Sequence, residues 1–186
     1  MSEPRNPLAA LRRKAEKGQD VTVAFFGGSI TWGGNSSDIE TRSYRALAGD
    51  WFRRRLKGVK VRCVNGGYGG TGSVAGAYRF EEHALSHGPD LVFVEFAIND
   101  SSTPQATMQA AHEAIFRKAW RSNPQMGIVL LISGSRLDTQ AELVTRRIAG
   151  DFGLHVVDVG AHKRRLIQSG RATNDDLWVD GVHPTD

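Results

Sequence analysis

Cysteine is almost missing from this chain. Cys63 is the only one in 186 residues, which excludes an internal disulfide and any metal site built from several cysteines. It sits in the apolar-biased run VKVRCVN with no histidine nearby in sequence, so a small buried side chain is expected rather than a reactive thiol. No apolar run reaches the roughly 20 residues that span a bilayer, so no membrane partner is expected. The N-terminus lacks the apolar core of a secretory leader. As given, the chain reads as cytoplasmic, with export open if a leader was removed. Neither charge sign dominates either, with 24 Lys and Arg against 20 Asp and Glu, a formal net charge of +4. The basic residues fall in separate clusters at 12–14, 53–55 and 163–165, each beside apolar residues. No aromatic-basic interleaving is present, which argues against a nucleic-acid partner. The sequence also has no P-loop Lys-Ser/Thr pair and no GxGxxG after its first strand.

What is present is an ordinary globular composition, 40% hydrophobic and 24% charged, with short β-rich runs alternating with longer helical patterns. Strands are expected at residues 21–26, 59–64, 91–96, 127–132 and 155–159, and helices at 42–57, 73–87, 105–122, 138–152 and 160–170. A short basic helix is expected within 1–19. Several strand runs are nearly continuously apolar, as in a parallel sheet covered on both faces. Repeated β-then-α units predict a single domain over 1–186. Its expected architecture is a three-layer α/β/α sandwich with a five-stranded, mainly parallel, flavodoxin-like sheet. Ligands of such sheets sit beyond the carboxyl ends of the strands.

Reactive residue types cluster at those ends. Gly27-Gly28-Ser29-Ile30-Thr31 follows the first strand, where two glycines allow a sharp turn that exposes a serine hydroxyl. A phosphate cradle is the competing reading. Asn65-Gly66-Gly67-Tyr68-Gly69-Gly70-Thr71-Gly72 follows the second, and five glycines in eight residues serve backbone geometry. Either a flexible turn or a loop presenting N–H groups fits. Asn99-Asp100 follows the third strand, as an amide donor or a turn. Asp180-Gly181-Val182-His183-Pro184 supplies an acid and an imidazole three residues apart. Serine needs such a base, and the base needs such an acid.

Taken in order, Gly-Ser, Asn-x-x-x-x-Gly, Asn-Asp and Asp-x-x-His-Pro resemble the four blocks of the SGNH (GDSL-like) hydrolase family over residues 20–186. GGSIT, NGGYGGTGS and FVEFAIND are most similar to its carbohydrate esterase and deacetylase members. The resemblance implies Ser29 as nucleophile, His183 as general base and acid, and Asp180 as its orienting partner. It implies an oxyanion hole from the N–H groups of Ser29 and Gly70 and the Asn99 amide, with neither metal nor cofactor. Gly28 replaces the Asp, and Ala97 the Gly, that many members carry. Family members usually continue into a last helix after this point, so a mobile 180–186 segment is expected unless the protein's own surface or another chain holds it.

Other residues carry weaker signals. Asp100, Asp158, Asp175 and Asp176 are rival acids, less favoured because only Asp180 stands in the Asp-x-x-His block. His83 and His87 have a metal-ligand spacing on a helix without a third ligand. Glu95, inside LVFVEFAIN, requires a partner if buried, and Arg79 or Arg136 is expected to provide one. Trp32, Tyr68 and Trp178 flank the site and suit sugar-ring platforms. The leading expectation is an esterase removing short acyl groups, acetyl above all, from a small-molecule or glycan ester. A thioesterase, lipase-like enzyme or acyltransferase with the same triad is the second reading. A non-catalytic nucleotide- or phosphate-binding module is the third.

Overall fold

The computed structural model describes residues 6–136 and 138–186. Of the helix expected within 1–19, residues 1–5 lie outside the described residues, and Ala9–Glu16 forms α1. Then follow β1 (Val21–Gly27), α2 (Ser29–Trp32), α3 (Tyr44–Arg55), β2 (Val61–Gly67) and α4 (Ser73–His83). The chain continues through β3 (Leu91–Glu95), α5 (Gln105–Ser122), β4 (Gly127–Ile132), α6 (Gln140–Phe152), β5 (His155–Asp158), α7 (Val159–Gln168) and α8 (Asn174–Leu177). The five strands are parallel in the order β2-β1-β3-β4-β5. The order reverses between β1 and β3, and a crevice opens at such a point beyond the strands' carboxyl ends.

Strand alternation explains the layers. Val21, Val23, Phe25, Leu91 and Val129 pack with Leu11 of α1 and Phe52 of α3 on one face. Ala24, Phe26, Val92, Val94, Ile128 and Leu130 pack with α4, α5 and α6 on the other. Burying both faces removes the polar half of the usual alternation, which is why these strands read as solid apolar runs. Each large apolar side chain fully buried here contributes about 1.5–3 kcal/mol. Helix ends follow cap chemistry. Thr139 accepts from the Glu142 N–H at 3.2 Å to open α6, and Gly153, with φ +62°, closes it.

Two boundaries differ from expectation in ways that shape the site. β2 does not end at residue 64 but runs through Asn65-Gly66-Gly67, paired with Phe25-Phe26-Gly27. The glycines permit close approach rather than a loop: a Cβ on Gly67 would lie 2.2 Å from the Trp32 nitrogen. The four-residue α2, which follows β1 directly, also departs from the expected pattern, because it is too short to leave a helical period.

The chain's final segment is a clipped hairpin. Trp178 and Pro184 form an antiparallel bridge, and the Val179 N–H donates to the His183 carbonyl at 2.9 Å. Trp178 is buried, 1% exposed, and its indole N–H donates to the Gly134 carbonyl at 3.0 Å. Thr185 donates to the Asp176 carbonyl. The Asp186 carboxylate accepts from the Ser37 N–H at 3.0 Å and from the Ser37 hydroxyl. The protein's own surface thus holds the 180–186 stretch at both ends, which is the exception that the expectation of a mobile segment allowed.

Candidate active site

The carboxyl end of β1 meets the hairpin at Ser29. Its Oγ lies 2.9 Å from His183 Nε2, and His183 Nδ1 lies 2.7 Å from Asp180 Oδ2. A ring nitrogen facing a carboxylate must carry the proton, so Nδ1 donates to Asp180 and Nε2 accepts from the serine hydroxyl. Asp180 Oδ1 accepts from the backbone N–H groups of His183, at 2.8 Å, and Val182, at 3.0 Å. These bonds, led by the His183 N–H, hold its carboxyl far below the usual range although its side chain is 45% exposed. Gly181, with φ +87°, lets the loop bring acid and imidazole to one side.

The turn before Ser29 is shaped by contacts that leave no room for side chains. A Cβ on Gly27 would lie 2.2 Å from Thr31 Oγ1, and one on Gly28 would lie 2.9 Å from Asn99 Oδ1. Asn99 thus reaches the residue next to Ser29. The second loop closes from the other side, with Gly69 4.0 Å from Ser29 Cβ and the Thr71 carbonyl 3.4 Å from Gly28, each measured at the glycine's Cβ position. Gly70 adopts φ +71° in an exposed stretch of this loop.

Several positioning residues escaped the sequence reading. A Cβ on Gly34 would stand 3.4–3.5 Å from the His183 ring, so this glycine's backbone forms a wall beside the imidazole. Asn35, at φ +64°, donates from Nδ2 to Asp180 Oδ2 at 3.1 Å. The Gly33-Gly34-Asn35 run was the available signal, since Asn tolerates the left-handed region. Arg79 donates to the carbonyls of Gly27 and Gly66, both at 2.6 Å, and to Thr71 Oγ1 at 3.0 Å. Its guanidinium stacks 4.4 Å from the Phe26 ring centroid, and burial lowers its pKa.

The rival acids are engaged elsewhere. Asp158 caps α7 at the Ala161 N–H and pairs with Arg146, and Asp100 accepts from the Ser73 N–H that opens α4. Asp175 pairs with Arg136, and Asp176 completes a capping box with Thr173. His83 and His87 each turn Nδ1 to an arginine, Arg79 and Arg62. Among the described residues no group of three His, Cys, Asp or Glu could hold a metal, and no helix is long and apolar enough to cross a membrane. Cys63 is half-buried, and burial pushes its thiol up.

Two expectations need correction. Trp178 cannot be a sugar platform, because its ring is buried beneath the hairpin with Lys163 4.7 Å from its centroid. Trp32 and Tyr68 remain exposed, at 48% and 59%, with the Tyr68 ring 6.4 Å from His83 on the α4 side. Glu95 is buried, 1% exposed, but neither Arg79 nor Arg136 is its partner. Its carboxylate accepts from the Thr31 hydroxyl at 3.2 Å and the Ser133 hydroxyl at 3.3 Å.

Residues 25–186, which hold all of these groups, match the GDSL-like lipase/acylhydrolase family. The chain belongs to that family. Solved structures similar to this GDSL-like hydrolase include a two-domain esterase, CEX, active on acetylated mannans and co-crystallised with mannopentaose. That match has 30% identity and a TM-score of 0.86 over 98% of this chain and 50% of that one. The GDSL-like hydrolase thus spans about half the length of that relative. The acetylxylan esterase Axe2 of Geobacillus stearothermophilus shares the fold at 21% identity and a TM-score of 0.68, covering 88% of this chain and 86% of that one. LAE5, an α/β hydrolase enzyme from the metagenome of Lake Arreo, Spain, is comparable at 21% identity and a TM-score of 0.69, with coverages of 90% and 89%. No match is found among curated proteins.

Proposed function

We propose that this GDSL-like hydrolase is a serine esterase that removes short acyl groups, acetyl foremost, from a carbohydrate. The observation that carries the reading is the unbroken relay from Ser29 Oγ through His183 to Asp180, with links of 2.9 and 2.7 Å. In this reading His183 Nε2 takes the serine proton as Oγ attacks the ester carbonyl, and Asp180 stabilises the imidazolium that forms. His183 then returns the proton to the departing sugar hydroxyl. Water attacks the acyl-enzyme by the reverse route, releasing the carboxylic acid and free Ser29.

The tetrahedral oxyanion needs donors aimed at it. The Ser29 N–H opens a helix and has no carbonyl four residues back to bond. In this reading the Asn99 amide and the Gly70 N–H serve as the second and third donors, a role supported by the closeness of Asn99, Gly69 and Thr71 to the same turn. Removing one donor of this kind costs about 10²–10³ in turnover. The carbohydrate assignment rests on two supports. The similar structures include esterases acting on acetylated mannans and acetylxylan, and Trp32 and Tyr68 present exposed aromatic faces.

The test compares wild type with Ser29→Ala on p-nitrophenyl acetate, on longer-chain esters and on acetylated xylo- and manno-oligosaccharides. Short-chain and sugar deacetylation, lost by about 10³-fold or more in the variant, is expected. Equal rates in both proteins would overturn the reading, and a preference for long acyl chains would move it to a lipase-like activity.

A further inference from the structure

Glu95 is an anomaly in its strand. Alternation along β3 puts it on the face of Leu91 and Phe93, where an apolar residue belongs, and the Ser-His-Asp relay makes no use of it. Burying a carboxyl there is costly, and among the described residues it makes no ion pair. Burial pushes its pKa up to about 7, against the opposing pull of Thr31 and Ser133 and with a small push from Asp100. A leucine of similar volume would stabilise the core more cheaply.

Its contacts fall on either side of one residue. The Glu95 backbone carbonyl accepts from the Gly28 N–H at 3.3 Å, immediately before Ser29. Its side-chain Oε2 accepts from Thr31 Oγ1 at 3.2 Å, two residues after it. Oε1 accepts from Ser133 Oγ at 3.3 Å, at the end of β4. Thr31 is fully buried and its Oγ1 also bonds the Tyr44 hydroxyl of α3 at 3.0 Å. There is no slack in this arrangement, since a Cβ on Gly27 would strike Thr31 Oγ1 at 2.2 Å and the Glu95 carbonyl oxygen at 2.5 Å.

We propose that Glu95 is the positioning residue of the nucleophile, gripping the turn on both flanks of Ser29 and so fixing the rotation of α2. That rotation decides two things together: whether Ser29 Oγ meets His183 Nε2, and whether the Ser29 N–H faces the oxyanion. The inference rests on Ser29 being the nucleophile. Thr31 transmits the grip, while Tyr44 and Ser133 brace it from α3 and β4.

The experiment uses wild type, Thr31→Val, Glu95→Leu, Glu95→Gln, the Thr31→Val/Glu95→Leu double variant and Ser29→Ala. Each is assayed for kcat and KM on p-nitrophenyl acetate and for the rate of covalent labelling by a fluorophosphonate probe, per folded molecule. Thr31→Val and Glu95→Leu are expected to lower kcat and labelling by about tenfold or more, with KM changed by less than about threefold. Glu95→Gln, which keeps hydrogen bonds to both hydroxyls, should recover most of the loss, and the double variant should be little worse than the poorer single one. Thr31→Val removes a hydroxyl without opening a cavity, so the test survives if Glu95→Leu fails to fold. Wild-type kcat and labelling rates per folded molecule in Thr31→Val and Glu95→Leu, even with lowered melting temperatures, would overturn the inference. Wild type that is labelled no faster than Ser29→Ala would instead sink the hydrolase reading, and the inference with it.

Discussion

Asp180 keeps its charge without being buried. Two backbone N–H groups and the His183 ring converge on it, so its carboxyl stays ionised far below neutrality. Asp180→Asn is expected to lower kcat by about 10²–10⁴-fold by removing the partner that orients and stabilises the His183 ring. A pH–rate profile of both proteins checks this, and an unchanged kcat in the variant would contradict it. Asn35→Ala removes one hydrogen bond from that carboxylate. A bond of this kind is worth about 0.5–1.5 kcal/mol, so kcat should fall by roughly two- to twelvefold at most, readable by the same assay. Ser29, His183 and Asp180 were legible because each stands in a short motif at an expected strand end or near the C-terminus. Asn35 and Gly34 were not, because their roles come from segments nearly 150 positions apart meeting in space. Trp178 was misread for a related reason: two residues from Asp180 in sequence says nothing about which way the ring points.

At the scale of elements, the floor of the site is made by two parallel strand ends joined by one side chain. Arg79 of α4 donates to Gly27 at the end of β1, to Gly66 of β2 and to Thr71 of the loop between them and α4. A lysine has a single nitrogen and cannot span three acceptors in one plane. Arg79→Lys should lose at least one of these three charged hydrogen bonds, costing about 1.5–3 kcal/mol, and should slow turnover as the Gly69–Thr71 stretch loses its anchor. Thermal unfolding and kcat together check this; unchanged values for both would show that the staple is dispensable. β1, β3 and β4 were readable from their two-sided apolar runs. The end of β2 was not, because glycines that permit Trp32 to approach Gly67 look, in a sequence, like glycines that permit a turn.

For the molecule as a whole, pH reaches stability through its buried carboxyls. Below about pH 4.5 Glu95 is neutral whether the chain is folded or not. Between about 4.5 and 7 the unfolded chain loses that proton while the folded one keeps it, so the folded state binds more protons and stability falls as pH rises. Glu142 is shifted the same way, by burial first and by its neighbour Asp138 second, and that contribution is common to wild type and variant. Glu95→Gln should therefore show a smaller drop in melting temperature than wild type between about pH 5 and 8, and parallel curves would refute the assignment. The parallel three-layer architecture was evident from the alternation of elements. The pairing of Glu95 was not, because hydroxyls 64 and 38 positions away on the neighbouring strands' ends leave no mark in the local sequence.

Ser29 and His183 stand on ground of unequal strength. Ser29 is rooted in the central strands, whereas His183 and Asp180 ride on a surface hairpin held down by one buried indole and a few exposed hydrogen bonds. Segments with so few buried contacts open at a lower free energy than the sheet beneath them. Gentle warming should therefore extinguish turnover while the sheet is still intact, and cooling should restore it without any refolding of the core.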